Sequence, residues 1–222
     1  MLSLSPFELQ TVLFAVQTTA MVAVFSILLA LPIGIAVGGA RRSRFRLLRV
    51  VAGIYVEVFR GTSALVQLFV GIFVLPSFGF TFDPTITATV VLALNGGAYA
   101  AESARGALDA VPKGQLEAAQ ALNLGWWTSS VVIVLPQAWR IMLPSFGNIA
   151  IDVLKATSLL SLVAVSEVSL IISNLNMGGA IDSTTAYVGL LVVYLVLSIP
   201  VTLAFGWLER HSSRKLGQVG TR

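Results

Sequence analysis

A polar, alanine-rich stretch between Asp109 and Asn123 interrupts a chain that is otherwise strongly apolar. At its centre Glu117 precedes Ala118 and Ala119, and side chains this small allow a second surface to approach a helix closely. These residue types indicate a binding surface, because a polar helix between membrane segments predicts a partner outside the bilayer that binds it. The residues leave a second interpretation equally open, in which the stretch is only an amphipathic connector.

Four polar side chains fall within apolar segments and have no obvious partner three or four residues away. They are Gln67, Asn95, Tyr99 and Glu167. Together they offer the acceptors and donors that a zwitterion requires for its ammonium and carboxylate groups. We predict that they line a substrate path, and hydrogen bonding between helices is the alternative.

Two pairs of opposite charges stand three residues apart, where side chains on a helix can meet. They are Glu57 with Arg60, and Asp152 with Lys155. A charge near the bilayer centre costs at least about 2.5 to 3.5 kcal/mol on insertion scales, so pairing is favoured there. We predict structural ion pairs, with a role in gating as the alternative.

Composition indicates that these residues belong to a membrane protein. The 222 residues are 56% hydrophobic and 11% charged, with a mean hydropathy of +0.89, which places the chain in a lipid bilayer. The sequence pI near 9.9 reflects basic loops beside apolar segments rather than a nucleic-acid partner. There is no cysteine, which excludes disulfides and thiolate metal sites, and we expect no metal site.

Five apolar segments are long enough to cross a membrane as helices, which predicts an all-α membrane protein of one domain, residues 1–222. The predicted spans are residues 11–37, 50–75, 86–106, 146–172 and 187–208. A further apolar run, Val131 to Met142, is cut by Pro136 and is too short to cross, which favours an interfacial or re-entrant piece. So small a bundle encloses little space, so a second subunit is expected.

Charge asymmetry predicts the orientation through the positive-inside rule. Basic residues concentrate in the first loop, around the third and in the C-terminal tail: Arg41, Arg42, Arg44, Arg46, Arg49, Arg105, Lys113, Arg140, Arg210, Arg214, Lys215 and Arg222. The segments at the other ends of the predicted spans carry the acidic residues Glu8, Asp83 and Asp182 and no basic residue. The N-terminus is therefore predicted outside and the C-terminus in the cytoplasm, as five crossings require.

The polar stretch then lies on the cytoplasmic side as a surface helix. Pro112 suits a first helical turn, and Asn123 suits a left-handed stop. Leu116, Ala119 and Leu122 are predicted to share a face toward the membrane domain or a groove, while Glu117 projects elsewhere. About eleven residues rise only some 16 Å, too little to cross.

This stretch resembles the cytoplasmic signature of bacterial ABC importer permeases. Glu117, Ala118 and Ala119 are followed without a gap by Ile133 and Leu135-Pro136, with Asn123 where the signature has glycine. Three further segments resemble the polar amino-acid branch of that family: Phe59 to Phe69, with Ser63 where proline is usual, Tyr99 to Gly106, and Gly147 to Leu159. The resemblance covers residues from about 10 to 210.

The resemblance implies a type I ABC importer permease fold in a bacterial inner membrane. Its implied partners are cytoplasmic ABC ATPase subunits, a second permease subunit (a copy or a homologue), a binding protein outside the membrane and the lipid bilayer. The chain itself would be no enzyme and hold no cofactor, because it lacks a phosphate-cradling Walker pattern; ATP and Mg²⁺ belong to the ATPase. The implied contacts of the coupling helix, residues 109–123, are Ala110, Gly114, Glu117, Ala118, Ala119 and Asn123.

The implied cargo is a small polar zwitterion, either an amino acid or, ranked lower, a compatible solute such as ectoine or hydroxyectoine. Two other classes are weighed against it. A secondary transporter is disfavoured because the two halves of the chain show no internal repeat. A membrane assembly subunit without transport activity would not need unpaired polar groups within its spans.

Overall fold

The computed structural model describes the backbone of residues 5–217 and the side chains of residues 5–212. Its α-helices are α1 (Pro6–Ala40), α2 (Arg46–Gly61), α3 (Ala64–Phe69), α4 (Pro84–Asp109), α5 (Lys113–Ala121), α6 (Trp126–Thr128), α7 (Leu135–Ala156), α8 (Val168–Met177) and α9 (Ser183–Gly217). Arg222, one of the predicted cytoplasmic cations, lies outside the described residues, and so do the side chains of Arg214 and Lys215.

Helices α1 and α4 form the central pair of the bundle because small residues let their backbones approach closely. A Cβ added at Gly34 would collide with the Cβ of Ala100, and one added at Gly38 would lie 2.7 Å from the carbonyl oxygen of Ala101. These glycines stand four residues apart on one face of α1. The pair is therefore packed through a glycine stripe rather than through large side chains.

A sharp bend replaces the continuous second span that the sequence predicts over residues 50–75. Thr62 and Ser63 adopt extended backbone angles after α2, and the helical run from Ala64 to Phe78 leaves at 105° to it. That run continues from α3 through a π-helical segment (Val70–Val74) and a 3₁₀ segment (Leu75–Phe78). The two pieces together are long and apolar enough for one broken span.

The fourth predicted span, residues 146–172, is wrong in its bounds. One helical run extends from Trp126 to Val163, through α6, a π-helical segment (Ser129–Val134), α7 and a 3₁₀ segment (Thr157–Val163). The apolar run from Val131 to Met142, predicted to be too short to cross, lies within the first half of this 38-residue helix. The prolines do not end it, because Pro136 follows the π-helical segment, where the hydrogen bonding is already shifted (the Leu135 amide donates to the Ser130 carbonyl), and Pro144 is accommodated inside α7.

By length and apolarity, α1, the run from Trp126 to Val163 and the apolar part of α9 (Ser183–Ser212) are each candidate spans, and the bent pair makes a fourth. Helix α4 covers the predicted third span, residues 86–106, but its many small and polar residues leave it less apolar than these. The all-helical membrane class is therefore confirmed, whereas the count of five spans stays a prediction.

Candidate docking helix and polar path

Helix α5 (Lys113–Ala121) is shorter than the predicted 109–123, because Asp109 ends α4, but it is stopped by a left-handed Asn123 as the sequence predicts. Asn123 has φ of 53°, the left-handed conformation that asparagine tolerates better than other residues with a Cβ. The Leu124 amide donates to the Ala119 carbonyl at 3.0 Å, and the Asn123 amide donates to the Gln120 carbonyl at 2.9 Å. This pair of hydrogen bonds is a Schellman motif, which satisfies the last carbonyls of a helix. Asparagine thus replaces glycine without loss of the turn.

The faces of α5 differ in part from the prediction. Ala119 is buried and Leu116 partly buried, so this side packs on the molecule itself, against the π-helical segment Ser129–Val134. Leu122 was predicted to share that face but is 73% exposed, because it lies in the C-terminal turn and points away. The other residues with an implied coupling role are exposed: Ala110, Gly114, Glu117, Ala118 and Asn123.

Two of the four predicted path residues lie at the bend after α2 and bond to each other. Gln67 Nε2 donates to the carbonyl oxygens of Phe59 (2.9 Å) and Thr62 (3.3 Å) and to the Thr62 hydroxyl. Asn95 Nδ2, on α4, donates to the same Phe59 carbonyl (3.1 Å) and to Gln67 Oε1 (3.0 Å). Both amides satisfy acceptors that the broken helix leaves free, which low-polarity surroundings demand.

Arg60 does not pair with Glu57, which corrects the first predicted ion pair. Its Nη1 lies 3.9 Å from the Glu102 carboxylate on α4, and its guanidinium stacks over the Tyr99 ring at 5.4 Å from the centroid. Tyr99 and Glu102 are three residues apart on one face of α4, which is why one guanidinium meets both. Glu57 is exposed, and no ion pair joins it to another described side chain.

The second predicted ion pair is present at the limit of contact, with 4.0 Å between Lys155 Nζ and Asp152 Oδ1 and both side chains mostly exposed. Asp152 also lines a cavity of about 310 Å³ between α4 and α7. Two predicted path residues, Asn95 and Tyr99, line the same cavity. The structure thus brings three of the sequence-predicted polar residues to one space.

Glu167, the fourth predicted path residue, lies apart from that cavity and is fully buried. Its side chain caps the N-terminus of α8 through the Leu170 amide (2.9 Å) and accepts from the hydroxyls of Tyr194 on α9 (3.2 Å) and Thr19 on α1 (3.4 Å). The Thr19 hydroxyl also accepts from the Val168 amide. We call Thr19, Glu167 and Tyr194, with Thr157 and Ser169 bonded to Tyr194, the buried polar cluster.

An ion-pair network lies at the C-terminal ends of α1 and α4 and was not predicted from the sequence. Glu102 contacts Arg41 and Arg105, and Asp109 contacts Arg42 at 2.9 Å and Arg105 at 3.0 Å. The spacing of Glu102, Arg105 and Asp109, at three and then four residues, is a helix-pairing signal that the sequence does contain. The network holds the end of α4 immediately before α5 begins.

Known proteins are similar to this chain in sequence and in architecture. The sequence profile of the family described as "Binding-protein-dependent transport system inner membrane component" matches residues 30–215. The L-cystine transport system permease protein TcyB of Bacillus subtilis is 32% identical over 201 residues, 90% of this chain and 84% of that protein. The glutamine transport system permease protein GlnP of Escherichia coli K12 is 34% identical over 197 residues, 88% and 90% of the two chains.

A solved structure, described as an amino acid ABC transporter with histidines, superposes with a TM-score of 0.82 at 25% sequence identity. The match covers 91% of this chain and 94% of that one. The inward-facing MetNI methionine ABC transporter superposes with a TM-score of 0.77 at 18% identity, which supports the fold alone. The helical architecture is thus close to that of known transporter chains.

Proposed function

The chain belongs to the family of binding-protein-dependent transport system inner membrane components, and from this premise we propose which solutes it passes and where its ATPase docks. It is the permease subunit of an ABC amino-acid importer, and its ATPase is a separate component. It is a multi-pass protein of the inner membrane, and its class implies ATPase and binding-protein partners. A secondary transporter is excluded by this membership.

The proposed cargo is a zwitterionic polar amino acid. The named relatives move cystine and glutamine, both of which carry an ammonium and a carboxylate group. A cavity lined by an amide, a phenol and a carboxylate (Asn95, Tyr99 and Asp152) offers a donor and acceptors for such a solute. Ectoine finds no support in these relatives and is not carried forward.

The proposed ATPase contact is the outer face of α5, and one observation carries it. Glu117 and Ala118 are exposed while Ala119 between them and the bundle is buried, so the signature residues divide into an outward pair and an anchor. An exposed carboxylate beside an exposed methyl group fits a groove with a basic or amide-bearing rim. ATP-driven closure of two ATPase subunits would then pull α5 of each permease subunit and reorient the bundles.

The proposed complex also includes a second permease subunit and has a defined orientation in the membrane. A second permease subunit, either a copy or a homologous chain, faces this one across the path. The N-terminus lies outside and the C-terminus in the cytoplasm, which the basic residues at the ends of α1 and α4 support. The chain binds no cofactor of its own, and ATP with Mg²⁺ is bound by the ATPase.

Uptake in proteoliposomes containing the chain, its ATPase and its binding protein tests the docking proposal. Glu117→Arg reverses the charge on the outward face and should lower ATP-dependent uptake roughly tenfold or more, as lost charge contacts at interfaces do. Gln115→Arg, an exposed change two residues away and therefore on nearly the opposite side of α5, is the matched control and should retain most uptake. Uptake without ATP would contradict the proposed function, and equal effects of the two substitutions would contradict the docking face.

A further inference from the structure

Helix α2 carries two different stripes of exposed side chains. One stripe, at positions three or four residues apart, consists of four exposed charged side chains with the partly buried Gly53 at its middle, and we call it the polar stripe: Arg46, Arg49, Glu57 and Arg60. About 100° away around the helix, an apolar stripe follows the same spacing: Leu47 (76% exposed), Val51 (56%), Ile54 (57%) and Val58 (52%). A third side, with Ala52 and Val56, is buried against the rest of the bundle.

The two exposed stripes require different surroundings. The apolar stripe suits lipid, because the first piece of the broken span presents large aliphatic side chains to the outside. The polar stripe does not, because Glu57 has no ion-pair partner among the described side chains and a charge facing lipid is costly. Charged side chains within membrane segments almost always face the bundle interior or a water-filled cavity.

The polar stripe also leads to a defined place in the molecule. Its last member, Arg60, lies over the ring of Tyr99, and Tyr99 lines the cavity of about 310 Å³ together with Asn95 and Asp152. From Arg46 to Arg60 the stripe rises about 21 Å along the helix axis. Charged side chains therefore follow one side of α2 from its N-terminal end to the Tyr99 edge of the cavity, interrupted only at Gly53.

We propose that the polar stripe of α2 forms one wall of a water-filled channel that connects the cavity lined by Asn95, Tyr99 and Asp152 to the side of the membrane where α2 begins. This rests on the proposed function, and by the predicted orientation that side is the cytoplasm. Three arginines and one glutamate give the wall an excess of positive charge, which favours the carboxylate of a departing solute. Gly53 keeps the wall open at its middle, where an added Cβ would meet no atom within 4 Å.

The absence of cysteine from the chain makes this wall directly testable, because an introduced cysteine is then the permease's only thiol. Gly53→Cys and Glu57→Cys place a thiol on the polar stripe, and Ile54→Cys and Val58→Cys place one at nearly the same depth on the apolar stripe. Each variant is incorporated with cysteine-free ATPase subunits into proteoliposomes, and its reaction with a membrane-impermeant methanethiosulfonate reagent is timed. Labelling after denaturation measures the total thiol in each case.

The polar-stripe thiols should react about tenfold faster or more than their apolar neighbours, because only a hydrated thiol ionises to the reactive thiolate. Equal rates for Glu57→Cys and Val58→Cys would overturn the proposal. So would slow labelling of Glu57→Cys combined with disulfide formation across a subunit interface, which would make the stripe a protein contact. The labelling pattern does not depend on transport, whereas ATP-dependent uptake by the unmodified chain tests the proposed function separately.

Discussion

The ion-pair network joins α1 to α4, and the buried polar cluster joins α1, α8 and α9, but the two do so by opposite physical means. The network gathers full charges at helix ends, where the side chains of Glu102 and Asp109 are 29% and 46% exposed. The buried polar cluster places one carboxylate, that of Glu167, fully inside the protein and surrounds it with hydroxyl and amide donors.

The difference lies in what happens when a partner is removed. An exposed ion pair loses little free energy on disruption, because water and salt ions replace the lost partner. A buried hydrogen-bonding group has no such replacement, so its unsatisfied partners keep their full desolvation cost. We therefore expect the buried polar cluster to govern the stability of the bundle and the network to govern local geometry next to α5.

The largest expected effect is that of Glu167→Ala, which removes the α8 cap, leaves the partly buried Leu170 amide without its acceptor and deletes the hydrogen bonds from the hydroxyls of Thr19 and Tyr194. We expect the free energy of unfolding to fall by roughly 2 to 4 kcal/mol. Thermal unfolding in detergent measures this, with Glu117→Ala as an exposed control that should change stability little. An equal effect of the two substitutions would erase the distinction between buried and exposed polar groups.

Tyr194→Phe should cost less, about 1 kcal/mol, because it deletes one hydroxyl and leaves the Glu167 cap in place. The same unfolding experiment measures the effect. Combining it with Glu167→Ala forms a double-mutant cycle. The double variant should lose less free energy of unfolding than the sum of the two single losses, because the two side chains share a hydrogen bond. Strict additivity would show that the two side chains are not coupled.

Glu102→Gln should lower the free energy of unfolding by about 1 kcal/mol or less, since the pairs it breaks are partly exposed. The signature of a screened ionic contact is salt dependence, because added salt shortens the range of the interaction. The difference between Glu102→Gln and the unmodified chain should therefore shrink as the salt concentration rises from about 0.01 M to 1 M. A difference that does not change with salt would show that Glu102 stabilises the bundle through unscreened contacts, as the buried polar cluster does.

The smallest effect is expected at Asn123, which lies in neither polar region and tests backbone geometry alone. Asn123→Gly should be neutral or slightly stabilising, by less than about 1 kcal/mol, because glycine adopts the left-handed conformation without strain. Asn123→Val should be worse than either, because a β-branched residue is strained at positive φ. ATP-dependent uptake and thermal unfolding, measured together, separate weakened coupling from lost stability.

Much of helix α5 was predictable because its determinants are local. The proline at the start of α5, the asparagine at its end and the Glu-Ala-Ala signature lie within a dozen residues, and the left-handed Asn123 is confirmed. Leu122 was misplaced because a regular helical face was assumed beyond the last turn. The apolar run around Pro136 was misread for a related reason, since the π-helical segment before it accommodates a proline that local rules treat as a helix breaker.

The sequence by itself determined the membrane class, the family and the C-terminal stop of α5, because hydropathy, charge bias and short motifs act over neighbouring residues. Only the tertiary structure decided the partners of the polar side chains, because those partners lie far apart along the chain. Asn95 meets Gln67 across 28 positions, and Glu167 meets Thr19 across 148. Buried polar groups must find hydrogen bonds wherever the fold supplies them, and that supply appears only once the helices have packed.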